Sequence, residues 1–81
     1  MEFDLLKDAI VDVLKVYPGE INENTTFLGD LGADSLDVYQ IVIYVEDELN
    51  ISLDVEDIKK ISTVGEAVEL IRKAEGKNGN K

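Results

Sequence analysis

The chain has no cysteine, no histidine and no tryptophan. Without histidine there is no serine–histidine dyad and no imidazole metal ligand. Without cysteine there is no protein thiolate, no disulfide to supplement the core, and nothing that points to an oxidising compartment. Carboxylates, lysines and tyrosines remain for acid–base work, and a chain of 81 residues is small for an enclosed active site. The composition therefore argues against an enzyme. Aromatic residues make up 6% and proline occurs once. No apolar run approaches the roughly 20 residues of a membrane span. The opening "MEFDLLKD" carries early acids and no continuous apolar run, unlike a signal peptide. These absences lead to the expectation of a soluble, cytoplasmic protein with no membrane insertion.

Cations are scarce in one region. From Val16 through Ile58 there is no lysine or arginine, while acids stand at Glu20, Glu23, Asp30, Asp34, Asp37, Glu46, Asp47, Glu48, Asp54, Glu56 and Asp57. The net charge is −10. A field of one sign repels nucleic acid and anionic lipid and steers basic partners inward. A solvated acidic surface kept for solubility is the plainer reading of the same feature. The acids lack the D-x-D-x-D-G spacing of a calcium loop, so no metal site is expected beyond weak cation binding by clustered carboxylates.

The apolar fraction is 44%, enough for one small globular domain. Phe3, Leu6, Ile10 and Val13, flanked by Leu5, Ala9 and Leu14, recur at helical spacing and predict a first helix over residues 2 to about 16, ended by Pro18. Residues 17–34 show no periodicity and hold Pro18, Gly19, Asn22, Asn24, Gly29 and Gly32, so they read as a long loop, with Ile21, Phe27, Leu28 and Leu31 as anchors to the core. A second helix is predicted from Ser35 to about Leu49, capped by Asp34 with Asp37 three residues on, and ended at Asn50. Val38, Val42, Val45 and Leu49 form its core stripe. A second apolar stripe, Leu36, Tyr39 or Gln40, and Ile43, faces elsewhere. Central burial of the helix accounts for it, and the residues alone favour that over a partner surface.

Asp54 caps a predicted short third helix to about Lys60, with Val55, Ile58 and Ile61 inward. "TVGE" sets Thr63 and Glu66 as a capping box for a fourth helix, with Val64, Ala67 or Val68, Ile71 and Ala74 on one face and Gly76 closing it. The fold class is all-α: a small four-helix bundle of three longer helices and one short one, with a long loop between the first two. Residues 1–75 form the domain and residues 76–81, "GKNGNK", a flexible C-terminal tail.

Ser35 stands at the first turn of the second helix, where free backbone N–H groups and the positive end of the helix dipole gather. Such a place tolerates a phosphate. The common role for a serine there is capping the helix. A nucleophile is disfavoured, since "GADSL" is not the G-x-S-x-G elbow and no histidine exists to deprotonate the hydroxyl. A phosphoserine switch has no specific support.

The wider context is more specific. "FLGDLGADSLD", followed by an acidic amphipathic helix and then by "EDELNISLDVEDIKKISTVGEAVELI", closely resembles the acyl carrier protein family of the bacterial, free-standing type. The resemblance covers nearly the whole chain. It implies that a phosphopantetheinyl transferase attaches 4′-phosphopantetheine from coenzyme A to Ser35, and that acyl groups ride on the terminal thiol as thioesters, in fatty acid biosynthesis. It implies a monomeric carrier that meets acyl-transferring and fatty acid synthesis enzymes through their basic surfaces. Asp34 and Asp37 would flank the site. Leu36, Tyr39 and Ile43 would be apolar contacts beside Gln40, with Glu46 and Asp47 as an acidic rim. Val42, Val45, Ile58 and Ile61 would be core residues that also border an acyl pocket. Gln40 stands where bacterial fatty-acid carriers usually have glutamate, Tyr39 and Tyr44 replace smaller or aliphatic residues, and Asp54 replaces a frequent proline. A carrier dedicated to polyketide or aminoacyl intermediates, or an unmodified acidic interaction module, remains open at this level.

Overall fold

A computed structural model describes residues 2–79. Four α-helices follow in order: α1 (Glu2–Leu14), α2 (Ser35–Leu49), α3 (Val55–Ile58) and α4 (Val64–Gly79), with a 3₁₀ turn at Pro18–Glu20. Among the described residues there is no strand, and the single β-type pairing is an isolated antiparallel bridge between Thr26 and Thr63. The predicted all-α architecture of three longer helices and one short one is the one found.

α1 packs against both α2 and α4. Arg72, midway along α4, reaches Glu2 at the start of α1, Nε to Oε1 3.4 Å. Leu6, Ala9 and Ile10 of α1, Ile41 and Val45 of α2, and Val64, Ala67, Val68 and Ile71 of α4 are buried together. Fully burying each of the larger side chains contributes about 1.5–3 kcal/mol, an upper estimate because unfolded chains already bury some surface. Ile41 is 1% exposed and faces the centre of the bundle, although neither predicted stripe of the second helix included it. The predicted stripe itself is split: Val42 and Val45 are buried, Val38 and Leu49 half-buried. The second stripe is not centrally buried. Leu36, Tyr39 and Ile43 are exposed, because Ile41 and Val45 already fill the space toward α1 and α4.

Helix ends follow dedicated side chains. Asp34 caps α2, and Asn50 closes it with φ 55° and ψ 48°, its N–H donating to the Glu46 carbonyl. At the start of α4, Glu66 N–H donates to Thr63 Oγ1 at 3.2 Å, while Glu66 Oε1 accepts from Ser62 N–H at 2.6 Å and Thr63 N–H at 3.2 Å. Those two backbone donors hold the Glu66 carboxyl below its ordinary range. α1 stops at Leu14, short of residue 16, because Lys15 turns left-handed with φ 60° and donates its N–H to the Val11 carbonyl at 2.9 Å. α3 ends at Ile58, and the chain then tightens into i→i+3 bonds from Lys60 N–H to Asp57 and from Ile61 N–H to Ile58. α4 does not stop at Gly76 but continues to Gly79. Gly76 lacks the positive φ that ends a helix, and a helical glycine only costs about 1 kcal/mol relative to alanine. Of the predicted tail, residues 80 and 81 lie outside the described residues.

The loop before α2 is folded onto the beginning of α4. Val64 N–H donates to Thr25 C=O and Gly65 N–H to Glu23 C=O, both at 2.9 Å, and Phe27 N–H donates to Ser62 C=O at 3.0 Å. A side chain at Gly65 would meet the Glu23 carbonyl at 3.0 Å, a tight contact that the absence of a Cβ relieves. Buried Thr25 is satisfied: its hydroxyl accepts from Asn22 N–H and donates to Glu20 C=O. Thr26 and Asp30 bond reciprocally, each N–H to the other's side chain at 2.9 Å. Gly32, with φ 65°, lets Ala33 N–H return to Phe27 C=O at 2.8 Å. Ile21 and Phe27 anchor the loop as expected and Leu31 is half-buried, but Leu28 is 75% exposed because the Thr26–Asp30 turn carries it outward.

Candidate functional site

This anchored turn delivers the chain to Asp34 and Ser35. Asp37 N–H donates to Asp34 Oδ1 at 2.9 Å, and Asp34 N–H donates to Asp37 Oδ2 at 3.3 Å. The cap of α2 is therefore the aspartate, not the serine. Ser35 is exposed, and among the described residues its hydroxyl enters no hydrogen bond. The common capping role for this serine is excluded by its neighbour's having taken it.

Ser35 borders an open groove of about 620 Å³ between α2, α3 and the end of the loop. Buried Phe27, Ala33 and Ile58 and half-buried Val38 and Ile61 line it from within. Leu28, Leu36, Tyr39 and Val55 line it while exposed to solvent. Val55 was expected to point inward; α3 is one turn long, and only its Ile58 reaches the core. Asp34, Lys59, Thr26 and Ser62 supply the remaining polar lining.

The expected acyl-pocket residues separate into two sets. Ile58 and Ile61 line the groove; Val42 and Val45 do not. Those two border an interior void of about 10 Å³, near the threshold for a single water. Phe27, Val38 and Ile61 line both spaces and form the partition between them.

On the expected partner face, Leu36, Tyr39, Gln40, Ile43 and Asp47 are exposed. Asp37 is half-buried and engaged with Asp34. Glu46 is half-buried, and its Oε2 accepts from Leu53 N–H at 2.7 Å, so this acid fastens the α2–α3 connection. Leu28, Lys59 and the outward Val55 belong to the groove and were not assigned to the site from sequence. Among the described residues, no cluster of three or more His, Cys, Asp or Glu side chains is arranged to hold a metal ion, and no helix is long and apolar enough to cross a membrane.

A small helical bundle that presents one uncommitted serine beside an apolar groove has the build of a carrier domain. Residues 4–71 match the family model described as a phosphopantetheine attachment site. Over 69 residues the chain is 45% identical to an acyl carrier protein of Wolinella succinogenes, covering 85% of this chain and 91% of that one. In three dimensions it matches a candidate acyl carrier protein from Mycobacterium tuberculosis with a TM-score of 0.83 at 29% identity, over 90% of this chain and 97% of that one. The chain belongs to the acyl carrier protein family. Its prosthetic group is phosphopantetheine, and its role is that of a carrier, not an enzyme.

Proposed function

We propose that Ser35 is the attachment residue and that the protein carries fatty acyl intermediates. The observation that carries the reading is the exposed, unbonded Ser35 hydroxyl at the edge of an apolar groove. No histidine or cysteine is needed, because the activating machinery belongs to the transferase. The Ser35 Oγ–phosphorus bond forms as the bond between that phosphorus and the adenosine bisphosphate part of coenzyme A breaks, and the hydroxyl proton passes to the transferase. When attached, 4′-phosphopantetheine supplies the thiol that this cysteine-free chain lacks, and acyl groups ride on it as thioesters.

The residues around Ser35 fit such an arm. The groove of about 620 Å³ is open, so a tethered chain can enter without unfolding the bundle. Leu28, Leu36, Tyr39 and Val55 offer apolar surface, and each acyl methylene buried there gains about 0.8 kcal/mol. A longer acyl chain would displace the partition of Phe27, Val38 and Ile61 and approach Val42 and Val45.

The partner face in this reading is α2, with Leu36, Tyr39, Gln40 and Ile43 in contact and Asp34, Asp37, Glu46 and Asp47 setting the charge. Glu46 and Asp37 contribute as fixed charges, since their carboxylates are already engaged with backbone N–H groups. Steering by an acidic face speeds encounter, and exposed ion pairs of about 0–1 kcal/mol each let the carrier leave quickly. The working unit in this reading is the helical domain through α4, acting as a cytoplasmic monomer.

Thioester loading tests the cargo. The phosphopantetheinylated protein is offered separately to a fatty acyl ligase, a polyketide acyltransferase and an aminoacyl ligase, and the products are weighed. Efficient loading with fatty acyl groups is expected. Loading with aminoacyl groups alone would reassign the protein to a pathway-dedicated carrier.

A further inference from the structure

The groove beside Ser35 has one cation in its lining, Lys59. It is the first basic residue after the long stretch without one from Val16 through Ile58. Lys59 is the C-terminal cap of α3, so its stem starts from a fixed backbone. Its ion pair with Glu56 is loose, 3.7 Å from Nζ to Oε2, with the two side chains 69% and 75% exposed. A pair that long and that exposed is weak and gives way to a better anion.

The α2 side of the groove is poorly equipped for an anion. The capping box puts the Asp34 and Asp37 carboxylates in the first turn, and Asp37 N–H is spent on Asp34. By helix geometry Ser35 and Leu36 keep N–H groups without an intrahelical acceptor. A phosphodiester on Ser35 would thus stand beside two carboxylates with few donors to offset them, while a cation lines the other side of the same groove.

We propose that Lys59 is the counter-ion of the phosphodiester, a positioning residue that lays the root of the arm into the groove toward α3. The proposal rests on the reading of Ser35 as the attachment residue. Lys60 is the internal control: it adjoins Lys59, is exposed, and does not line the groove.

The test begins by converting the protein with a transferase and coenzyme A and confirming the added mass; absence of that mass counts against the attachment reading and not against Lys59. Apo and converted protein are then treated with an amine-acylating reagent, and labelling is followed residue by residue. Lys59 labelling is expected to slow about two- to fivefold on conversion, the range an exposed ion pair supports, while Lys60 does not change. The ³¹P resonance of the converted protein is expected to move in Lys59→Gln, to stay in Lys60→Gln and to be restored in Lys59→Arg. Equal labelling of Lys59 before and after conversion, or a ³¹P resonance indifferent to Lys59→Gln, overturns the proposal. Protection that appears only after the thiol is loaded with a dicarboxylic acyl group also overturns it, because the partner of Lys59 is then the cargo.

Discussion

Asp34 and Asp37 hold each other across the first turn of α2, Asp37 N–H on Asp34 Oδ1 at 2.9 Å and Asp34 N–H on Asp37 Oδ2 at 3.3 Å. Two acids that lie beside the proposed attachment residue are thereby also the residues that start the helix. Their charge can face a partner only in the geometry the capping box imposes, so stability and recognition draw on the same atoms.

Removing the cap should be felt in stability. Asp34→Ala deletes the side-chain acceptor for Asp37 N–H and is expected to cost about 1 kcal/mol. For a domain this small that lowers the melting temperature by about 4–8 °C. Asp37→Ala, which loses only the longer of the two bonds, should cost less. Thermal unfolding followed by circular dichroism measures both; equal melting temperatures for Asp34→Ala and the parent protein would mean that the cap is dispensable.

Two carboxyls, Glu2 at the start of α1 and Glu75 in the last turns of α4, influence each other's titration. A proton shared between them raises the Glu75 pKa and lowers that of Glu2, with Arg72 adding to the second effect. Glu75, raised above its ordinary 4.5, contributes stability that is present below that value and lost as pH rises through the raised one. Glu2 has the opposite sign: its contribution is present above 4.5 and lost as pH falls through the lowered value. The bond is therefore best formed when the pair holds one proton. Glu75→Gln keeps a donor for Glu2 at every pH. It should raise the melting temperature at neutral pH and flatten its fall as pH rises through the raised Glu75 pKa. A melting temperature that drops at neutral pH in this variant would show that the pair does not work through a shared proton.

Self-repulsion should be visible as salt dependence. With a net charge of −10, added sodium chloride screens the acidic surface over a Debye length of about 10 Å at 0.1 M and should raise the melting temperature. Magnesium should do so at lower concentration. A flat or falling melting temperature across the series would indicate that the acids are already balanced locally.

The parts of this fold that were legible in the sequence are those decided by one side chain acting on a nearby backbone. Asp34, Asn50, and Thr63 with Glu66 mark helix ends through local bonds, and each does what its position suggested. What could not be read was decided at a distance. α2 is apolar on nearly every side, so its sequence does not reveal that Ile41 turns inward while Ile43 stays out; the positions of α1 and α4 decide that. Gly76 looked like a stop, but glycine ends a helix only where the chain turns left-handed, and there it does not. The loop before α2 lacks periodicity because its partners are the first N–H groups of α4, far along the chain. At the candidate site, the exposure of Ser35 and of Leu36, Tyr39 and Ile43 is what the family pattern implies, whereas the residues alone favoured burial of that stripe. The groove was not legible, because Leu28 joins it from the loop before α2 while Val55 and Lys59 join it from the two ends of α3.

The most direct test is the mass of the intact protein after incubation with a phosphopantetheinyl transferase, coenzyme A and magnesium, run beside Ser35→Ala. Because the Ser35 hydroxyl is exposed and unbonded, the variant should keep the parent's helicity and melt within about 0.5 kcal/mol of it. The parent should gain one phosphopantetheine and the variant none. An unmodified parent, or a folded Ser35→Ala that still gains the mass, would contradict the account.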